Sequence, residues 1–139
     1  MKSPLNIKLD KIAHMPTRAH VSDAGLDLYA PYPATIPSHG YTVIDTGVHI
    51  NIPEGYVGLI LSRSSLMLKG LTTRGVVDSG YTGEIKVILF NHSDVPYIVH
   101  YDDKIAQLVI VPIVTPKLVL TEVFPDTDRS NNGFGSSGR

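Results

Sequence analysis

Short runs of apolar residues, rich in Val, Ile and Leu, follow one another along the chain with turn-forming residues between them. Runs of this length and composition are typical of β-strands. They cover residues 41–50, 56–61, 84–90, 97–101, 105–113 and 118–124. Glycine, proline, asparagine and aspartate separate them, for example at 52–55 and 78–83. Because helical periodicity is almost absent, the pattern predicts an all-β fold, a distorted jelly roll or β-barrel.

Two segments depart from the strand pattern. Residues 64–70, SSLMLKG, predict one short helix that Ser64 or Ser65 caps and Gly70 ends. A helix this short would depend on tertiary contacts rather than on intrinsic propensity. After position 125 the composition turns to Gly, Ser and Asn, with Phe134 as the one large apolar residue. We therefore predict a β-barrel domain over residues 1–125 and a flexible C-terminal arm over residues 126–139.

Composition narrows the classes of protein that this chain can represent. Its 139 residues are enough for one domain with a real core, and the net charge of -1 does not favour nucleic acid or a membrane surface as partner. Small anions stay open, because they need only a local cluster of cations. The absence of cysteine excludes disulfides, thiolate zinc sites and cysteine nucleophiles. Without a signal-like N-terminus or a long apolar run, we expect a soluble protein of the cytoplasm.

The segment GVVDSGYTGE, residues 75–84, carries the strongest chemical signal. An apolar run ends at Asp78, and Ser79 and Gly80 supply a turn before Tyr81 and the next strand. Asp78 could cap this turn through its own backbone, which is a structural role. Alternatively, a carboxylate fixed at a strand end could serve as a general base, because an ordinary aspartate is ionised at neutral pH. The segment alone leaves both interpretations open.

The start of the predicted helix is a candidate anion site. Arg63 stands directly before the hydroxyls of Ser64 and Ser65. Free backbone N–H groups at a helix start favour phosphate, and an adjacent guanidinium can bind two of its oxygens. Ordinary helix capping beside a surface arginine explains the same residues, so this motif also leaves two interpretations.

Two polar residues interrupt otherwise apolar strands. Gln107 could face solvent, contact another subunit or bind a phosphate, and Asp27 points to the face opposite Leu26 and Leu28. For Asp27 a structural capping role is again an alternative. The six histidines show no spacing that is typical of a transition-metal site.

Taken in order, these segments resemble the five motifs of the homotrimeric dUTPases, over residues 24–138. The matching segments are AGLDLYA (24–30), RSSLMLKG (63–70), GVVDSGYTGEI (75–85), DDKIAQLVI (102–110) and RSNNGFGSSG (129–138). The third and the fifth are the most specific. The resemblance implies an enzyme that hydrolyses dUTP to dUMP and pyrophosphate, which limits uracil in DNA and supplies dUMP for thymidylate synthesis.

The resemblance also implies roles in nucleoside recognition and catalysis. Asp78 would be the base that activates the attacking water. Tyr81 would pack beneath the deoxyribose and leave no room for a 2′-hydroxyl. The hairpin from Thr72 to Lys86 would bind the uracil edge, mainly through backbone groups near Val77 and Lys86.

Further positions correspond to the phosphate and metal sites of the family. Arg63, Ser64 and Ser65 would bind phosphates from one subunit, and Gln107 would help from another. Mg²⁺ would be bound through the substrate triphosphate, with Asp27 as an outer-shell carboxylate that acts through water. Active sites shared between the subunits of a homotrimer are part of the same implication.

The C-terminal arm would close over a loaded site. Phe134 would stack on the uracil ring, while Arg129, Ser136 and Ser137 would reach the phosphates. Gly135 and its neighbouring glycines would let backbone N–H groups approach the ligand closely.

The chain departs from the common family pattern at a few positions. Thr72 stands where asparagine is common, and Lys104 stands where arginine is common, which keeps the charge but loses the two-pronged hydrogen bonding. Ile88 occupies the position of the catalytic glutamate in the related dCTP deaminases, which disfavours deamination. Regulatory binding to another protein stays open as an alternative, because such roles are attributed to some viral and phage members. A viral or phage gene is compatible with everything above.

Overall fold

The longest strands show how the alternation of side chains builds this fold. In the computed structural model, which describes residues 3–138, Ile85, Val87 and Leu89 of one strand are buried and Lys86 and Phe90 face outward. A strand with one buried face must pack against a second layer, because its apolar side chains would otherwise meet water. This requirement leads to a fold made of opposed sheets.

The chain forms ten strands and one helix within the described residues. They are β1 (Asn6–Leu9), β2 (Gly25–Tyr29), β3 (Ala34–Ile36), β4 (Tyr41–Asn51), β5 (Tyr56–Leu61), α1 (Ser64–Met67), β6 (Leu71–Thr72), β7 (Arg74–Val77), β8 (Glu84–Asn91), β9 (Tyr97–Val99) and β10 (Lys104–Pro112). The prediction of an all-β, jelly-roll-type fold with one short helix is confirmed. None of the described helical residues belongs to a helix that is long and apolar enough to cross a membrane.

Three antiparallel sheets surround one core. The two four-stranded sheets have the orders β1-β4-β8-β6 and β2-β10-β5-β7, and β3 pairs with β9. Both large sheets contribute buried side chains to the same cluster, including Leu28, Ile44, Ile60, Val87 and Leu108. The crossovers in strand order bring residues that are distant in sequence to neighbouring positions, which matters for the sites below.

The helix differs from its prediction at both ends: α1 ends at Met67, three residues before Gly70. Arg63, in an extended conformation, occupies the N-cap position, and no side chain caps the helix. The predicted capping by Ser64 or Ser65 is therefore wrong, since both serines already lie in the helical turn. The chain leaves this turn at Gly70, whose φ of 84° suits glycine. Leu66 is buried and anchors the turn on the core, as expected for a helix held by tertiary contacts.

The predicted strand at 118–124 is wrong for the isolated chain. No strand is present among residues 113–138, and Leu118, Leu120 and Phe124 are almost fully exposed. A strand needs a neighbouring edge to satisfy its backbone groups, and no described segment of the chain runs beside this one. The segment keeps the composition of a strand without having a partner.

Candidate active site

The connection between β7 and β8 leaves one carboxylate without a hydrogen-bond partner among residues 3–138. The predicted hairpin is wrong, because β7 pairs with β5 and β8 pairs with β4 and β6, in different sheets. Val77 is buried at the end of β7, and Asp78 follows it at the surface. The turn is closed by the backbone, with the N–H of Tyr81 donating to the Asp78 carbonyl at 3.2 Å, and Gly80 supplies the positive φ of 83°. Among residues 3–138 no group donates a hydrogen bond to the Asp78 carboxylate. The turn therefore does not use this side chain as a cap, which leaves it available for chemistry.

Tyr81 is fixed within the loop between β7 and β8. Its hydroxyl donates a hydrogen bond to the carbonyl of Glu84 at 2.7 Å. A Cβ on Gly83 would lie 2.6 Å from the Tyr81 ring, closer than atoms can pack. Gly83 thus allows the ring to lie against the loop backbone, and the hydroxyl contact holds it there. The result is a rigid, half-exposed aromatic surface beside Asp78.

A cleft of about 310 Å³, the Asp78 cleft, opens beside this turn. Its lining combines Asp78 and Tyr81 with residues of β5, β7 and β8, namely Ile60, Arg74, Gly75, Val76, Val77, Glu84, Ile85, Lys86 and Ile88. The volume is at the lower end of the roughly 300–1,000 Å³ that is usual for small-molecule sites. The predicted residues Val77, Asp78, Tyr81 and Lys86 therefore share one cleft.

Two charged residues of this cleft belong to an ion-pair network. Lys86 Nζ contacts the Asp45 carboxylate on the neighbouring strand and lies 3.8 Å from Glu84 Oε2. The hydrogen bond to Asp45 raises the pKa of Lys86, so this side chain is a cation at neutral pH. Because its charge is already paired, Lys86 contributes its backbone to the cleft more readily than its ammonium group.

Arg74 is a cleft residue that sequence reasoning missed. It lines the Asp78 cleft and lies on β7, two residues from Val76 and four from Asp78. Residues at this spacing share one face of a strand. The period-two pattern ending at Asp78 was the signal that could have identified it.

A second cluster forms where β2, β10 and the start of α1 meet. Asp27 lies between two cations, with Oδ1 3.3 Å from Arg63 Nε and Oδ2 3.2 Å from Lys104 Nζ. Only 16% of the Asp27 side chain is exposed. Two cations around one carboxylate can bind a further anion. Asp23 also lines the cleft beside Asp27, and its carboxylate accepts a hydrogen bond from the His20 N–H at 2.9 Å. This arrangement brings together three residues that are widely separated in sequence.

Gln107 belongs to the same cluster. Its Nε2 donates a hydrogen bond to the carbonyl of Ser62 at 3.0 Å, next to Arg63. Gln107, Asp27, Arg63 and Ser64 line one cleft of about 380 Å³ in a single chain, the Arg63 cleft. The expectation that Gln107 would act from a different subunit than Arg63 is therefore wrong, since β10 pairs with β2 and β5 of its own chain. Ser65 lines an adjoining cleft with Lys69 and Lys104.

Asp78 and the Arg63 cleft lie towards opposite ends of β5. Gly58 pairs with Val77, next to Asp78, whereas Leu61 pairs with Gln107 and precedes Arg63 by two residues. Three strand residues separate these registers, a rise of about 10 Å, and both functional side chains lie beyond them. One chain therefore holds the carboxylate and the cationic cluster apart.

Six predicted residues line none of these three clefts. Thr72 pairs with Phe90 of β8, and its Oγ1 lies 2.8 Å from His92 Nε2. The five others lie on the exposed arm: Arg129, Phe134, Gly135, Ser136 and Ser137. Arg129 Nε donates to the Asn132 carbonyl at 2.7 Å, so its contact is with the arm itself.

A sequence model of the dUTPase family matches residues 11–138 of this chain. The chain belongs to the dUTPase family. Among curated relatives, the deoxyuridine 5'-triphosphate nucleotidohydrolase of Gloeobacter violaceus is 38% identical and covers 97% of this chain and 98% of its own length. The corresponding protein of Yarrowia lipolytica is 44% identical, over 94% of this chain and 85% of its own length.

Solved structures of dUTPases have the same fold. The dUTPase of Staphylococcus bacteriophage 80alpha with dUPNHPP is similar to this chain with a TM-score of 0.91 and 35% identity, over 98% of this chain and 99% of its own. A mutant dUTPase from phage phi11 of S. aureus, described with a structural Mg(II) ion, has a TM-score of 0.82 and 34% identity, over 88% and 99%. In residues 3–138 of the present chain, no three His, Asp or Glu side chains are grouped as a protein-built metal site.

Proposed function

We propose that this member of the dUTPase family hydrolyses dUTP to dUMP and pyrophosphate. The observation that carries this proposal is the Asp78 carboxylate, which is exposed and has no hydrogen-bond or ion-pair partner among residues 3–138, at the edge of a cleft of about 310 Å³. The reaction removes a source of uracil in DNA and supplies dUMP for thymidylate synthesis. Its substrate is a cellular nucleotide, so the cytoplasm is the proposed compartment.

Asp78 is the proposed general base. It accepts a proton from a water molecule, and the resulting hydroxide attacks the α-phosphorus of dUTP. The bond from this phosphorus to the bridging oxygen breaks, and the electron pair leaves with pyrophosphate. The hydrogen bond from the Tyr81 N–H to the Asp78 carbonyl holds the turn, and with it the backbone that carries this carboxylate, at the strand end. A base held in place in this way costs little reorganisation during the reaction.

The Asp78 cleft is the proposed site for the nucleoside. Backbone groups near Val77 and Lys86 face the uracil edge, and the fixed ring of Tyr81 packs beneath the deoxyribose. Because Gly83 and the Glu84 carbonyl hold the ring, it cannot move aside for a 2′-hydroxyl. Ile88 also lines this cleft, at the position where the related deaminases have a catalytic glutamate. An apolar side chain at this position supports hydrolysis rather than deamination.

The Arg63 cleft and the adjoining cleft lined by Ser65 and Lys104 are together the proposed site for the triphosphate. Arg63 and Lys104 are the cations, and Ser64, Ser65 and the amide of Gln107 are the hydrogen-bonding groups. Thr72 is the weakest of the proposed contacts, because its hydroxyl already lies within hydrogen-bond distance of His92.

Mg²⁺ is the proposed cofactor, bound through the triphosphate of the substrate. It would neutralise phosphate charge, and the protein would contact it through water at Asp27. The donor set fits this mode of binding, because the Asp27 carboxylate is already paired with Arg63 and Lys104. Mg²⁺ usually keeps several waters and needs few direct protein ligands.

A homotrimer with shared active sites is the proposed assembly. The distance between Asp78 and the Arg63 cleft within one chain supports sites composed of two subunits. The exposed apolar segment at 113–124 supports an assembly in which another subunit supplies the missing strand edge. In such an assembly the arm at 126–139 of one chain closes over a site on the barrel of others. Its residues Arg129, Phe134, Gly135, Ser136 and Ser137 then complete the contacts to dUTP.

A nucleotide panel tests the proposed function. The purified protein is incubated with Mg²⁺ and dUTP, dTTP, dCTP or UTP, and pyrophosphate release is followed with an added pyrophosphatase. A strong preference for dUTP supports both the reaction and the site. Equal rates with all four nucleotides, or ammonia released from dCTP, contradict the proposal.

A further inference from the structure

His49 connects the loop between β7 and β8, which carries Asp78, to the N-terminal part of the chain. Its Nδ1 lies 2.9 Å from the carbonyl of Thr82, and its Nε2 lies 3.1 and 3.2 Å from the two carboxylate oxygens of Asp10. Only 17% of the side chain is exposed. The ring therefore bridges the turn after β1 and the loop between β7 and β8.

The geometry indicates the protonation state of this ring. A carbonyl can only accept a hydrogen bond, so Nδ1 must carry a proton to bind Thr82. An ionised carboxylate also only accepts, so Nε2 must carry a proton to bind Asp10. Both protons are present only in the imidazolium form. The hydrogen bonds to Thr82 and then to Asp10 raise the pKa of His49 above its ordinary value, in agreement with this geometry.

The charged groups around the His49 ring favour or oppose its protonation. Lys8 lies opposite His49 in the β1–β4 register, and its charge opposes protonation, whereas Asp10 favours it. Glu84 lies opposite His49 in the β4–β8 register. The Glu84 carboxylate is engaged elsewhere, because it accepts a hydrogen bond from the Gly47 N–H at 2.8 Å and lies 3.8 Å from Lys86. Asp10 is therefore the carboxylate that holds the imidazolium.

We propose that protonated His49 is a positioning residue for the reaction, which holds the loop at 78–84 and with it Asp78 and Tyr81 in their working positions. A neutral ring can keep only one of the two contacts, either with Thr82 or with Asp10. Loss of this bridge lets the loop move relative to the sheet. The proposal rests on the proposed hydrolysis of dUTP, but the bridge itself can be measured without that activity.

The expected pH dependence follows from the sign of the effect. The folded loop favours the protonated form of His49, so the bridge is complete below the ordinary pKa of histidine and is lost as the pH rises through the raised value. We expect kcat/KM to fall by about two- to fivefold across this step, in line with the small contribution of an ion pair near solvent. The step lies on the alkaline side of the ordinary histidine range.

The test compares kcat/KM for dUTP from about pH 5.5 to about pH 9, the range in which histidine titrates, for the wild type and three variants of the full chain. In His49→Gln we expect the step to disappear. In Asp10→Asn we expect it to move to lower pH, because the group that favours the charged ring is gone. His39→Asn is the matched control: His39 forms a similar pair with Asp94 at 2.7 Å, remote from the loop, and asparagine tolerates its φ of 53°. This control should keep the wild-type profile.

The outcomes separate this proposal from the proposed function. A wild type without the step, a step that survives in His49→Gln, or a step that does not move in Asp10→Asn overturns the role of His49 while hydrolysis of dUTP stands. If His49→Gln does not fold, Asp10→Asn alone decides. If the wild type does not hydrolyse dUTP, the proposed function fails, and NMR still tests the bridge. In that case the Thr82 and Tyr81 amide signals should follow the His49 titration in the wild type, and their failure to do so overturns the bridge.

Discussion

The Gln107 amide lies directly against the backbone of Gly25. A Cβ added to Gly25 would lie 2.4 Å from Gln107 Oε1 and 3.2 Å from Gln107 Cβ. These residues belong to β2 and β10, which pair side by side, so the missing side chain on one strand makes room for the amide on the other. With its Nε2 bound to the Ser62 carbonyl, the amide has one fixed orientation beside Arg63. Gly25 is thus part of what positions the proposed phosphate site.

Gly25→Ala should weaken substrate binding more than it weakens the fold. We expect KM for dUTP to rise about tenfold, because overpacking at a tight site displaces side chains at a cost of about 1–3 kcal/mol. Steady-state kinetics and thermal melting measure the two effects. A double-mutant cycle supplies the control: in a Gln107→Ala background the same alanine should have a much smaller effect, since the 2.4 Å clash with Oε1 is gone and only the 3.2 Å contact with the Cβ remains. Additive effects of the two substitutions would contradict this relationship.

Asp78→Asn should abolish most of the turnover and leave the structure intact. The side chain is exposed and holds no hydrogen bond in the turn, so stability should be unchanged within error. Loss of a positioned base should lower kcat by about 10²–10⁴. Single-turnover kinetics with dUTP, calorimetric binding of a nonhydrolysable analogue and thermal melting measure these quantities. Asp94→Asn, which also changes an exposed aspartate, is the control and should keep wild-type kcat. Wild-type turnover in Asp78→Asn would remove this residue from the proposed role.

Removal of residues 128–139 tests the proposed lid. Residues 128–138 are exposed except for the half-buried Gly133, and none of them belongs to the hydrophobic core, so the melting temperature should stay near that of the full chain. We expect turnover to fall by about 10²-fold, since loss of a closing lid leaves the reacting groups misplaced. Phe134→Ala provides a narrower change at a fully exposed side chain and should raise KM with the same intact fold. A truncated chain that keeps the wild-type rate would show that closure of the arm plays no part.

Local patterns explain what the sequence could predict. Short apolar runs bounded by turn residues indicated the longer strands, and the turn residues after Val77 indicated the turn that presents Asp78. Both features depend on neighbouring residues in the chain, which sequence patterns describe well. The predicted helix cap was wrong by one residue, because Arg63, in an extended conformation, occupies the N-cap position instead of Ser64.

Long-range contacts explain what the sequence could not predict. His49 contacts Thr82 and Asp10 at separations of 33 and 39 residues, which no local spacing indicates. Thr72 was assigned to the uracil cleft on the basis of resemblance, yet pairing of β6 with β8 turns it towards His92. The strand predicted at 118–124 depends on an edge that the single chain does not supply. In each case the deciding partner is distant or lies outside the chain.

Complementation between two inactive variants tests whether active sites are shared between subunits. Asp78→Asn removes the proposed base, and Arg63→Gln removes a proposed phosphate ligand, so each variant alone should be inactive. When the two are unfolded and refolded together in equal amounts, some sites combine an intact Asp78 from one chain with an intact Arg63 from another.

Random assembly then predicts a definite level of recovery. Each required side chain is intact in half of the chains, so about a quarter of the wild-type activity should return in a closed, symmetric assembly with shared sites. The control is a mixture of Asp78→Asn with the double variant that carries both changes, in which no chain has an intact Asp78 and no activity should return. Light scattering measures whether the refolded species is a trimer. Because Asp78 and Arg63 lie towards opposite ends of β5, a site within one chain would give no recovery in the mixture, and that result would exclude shared sites.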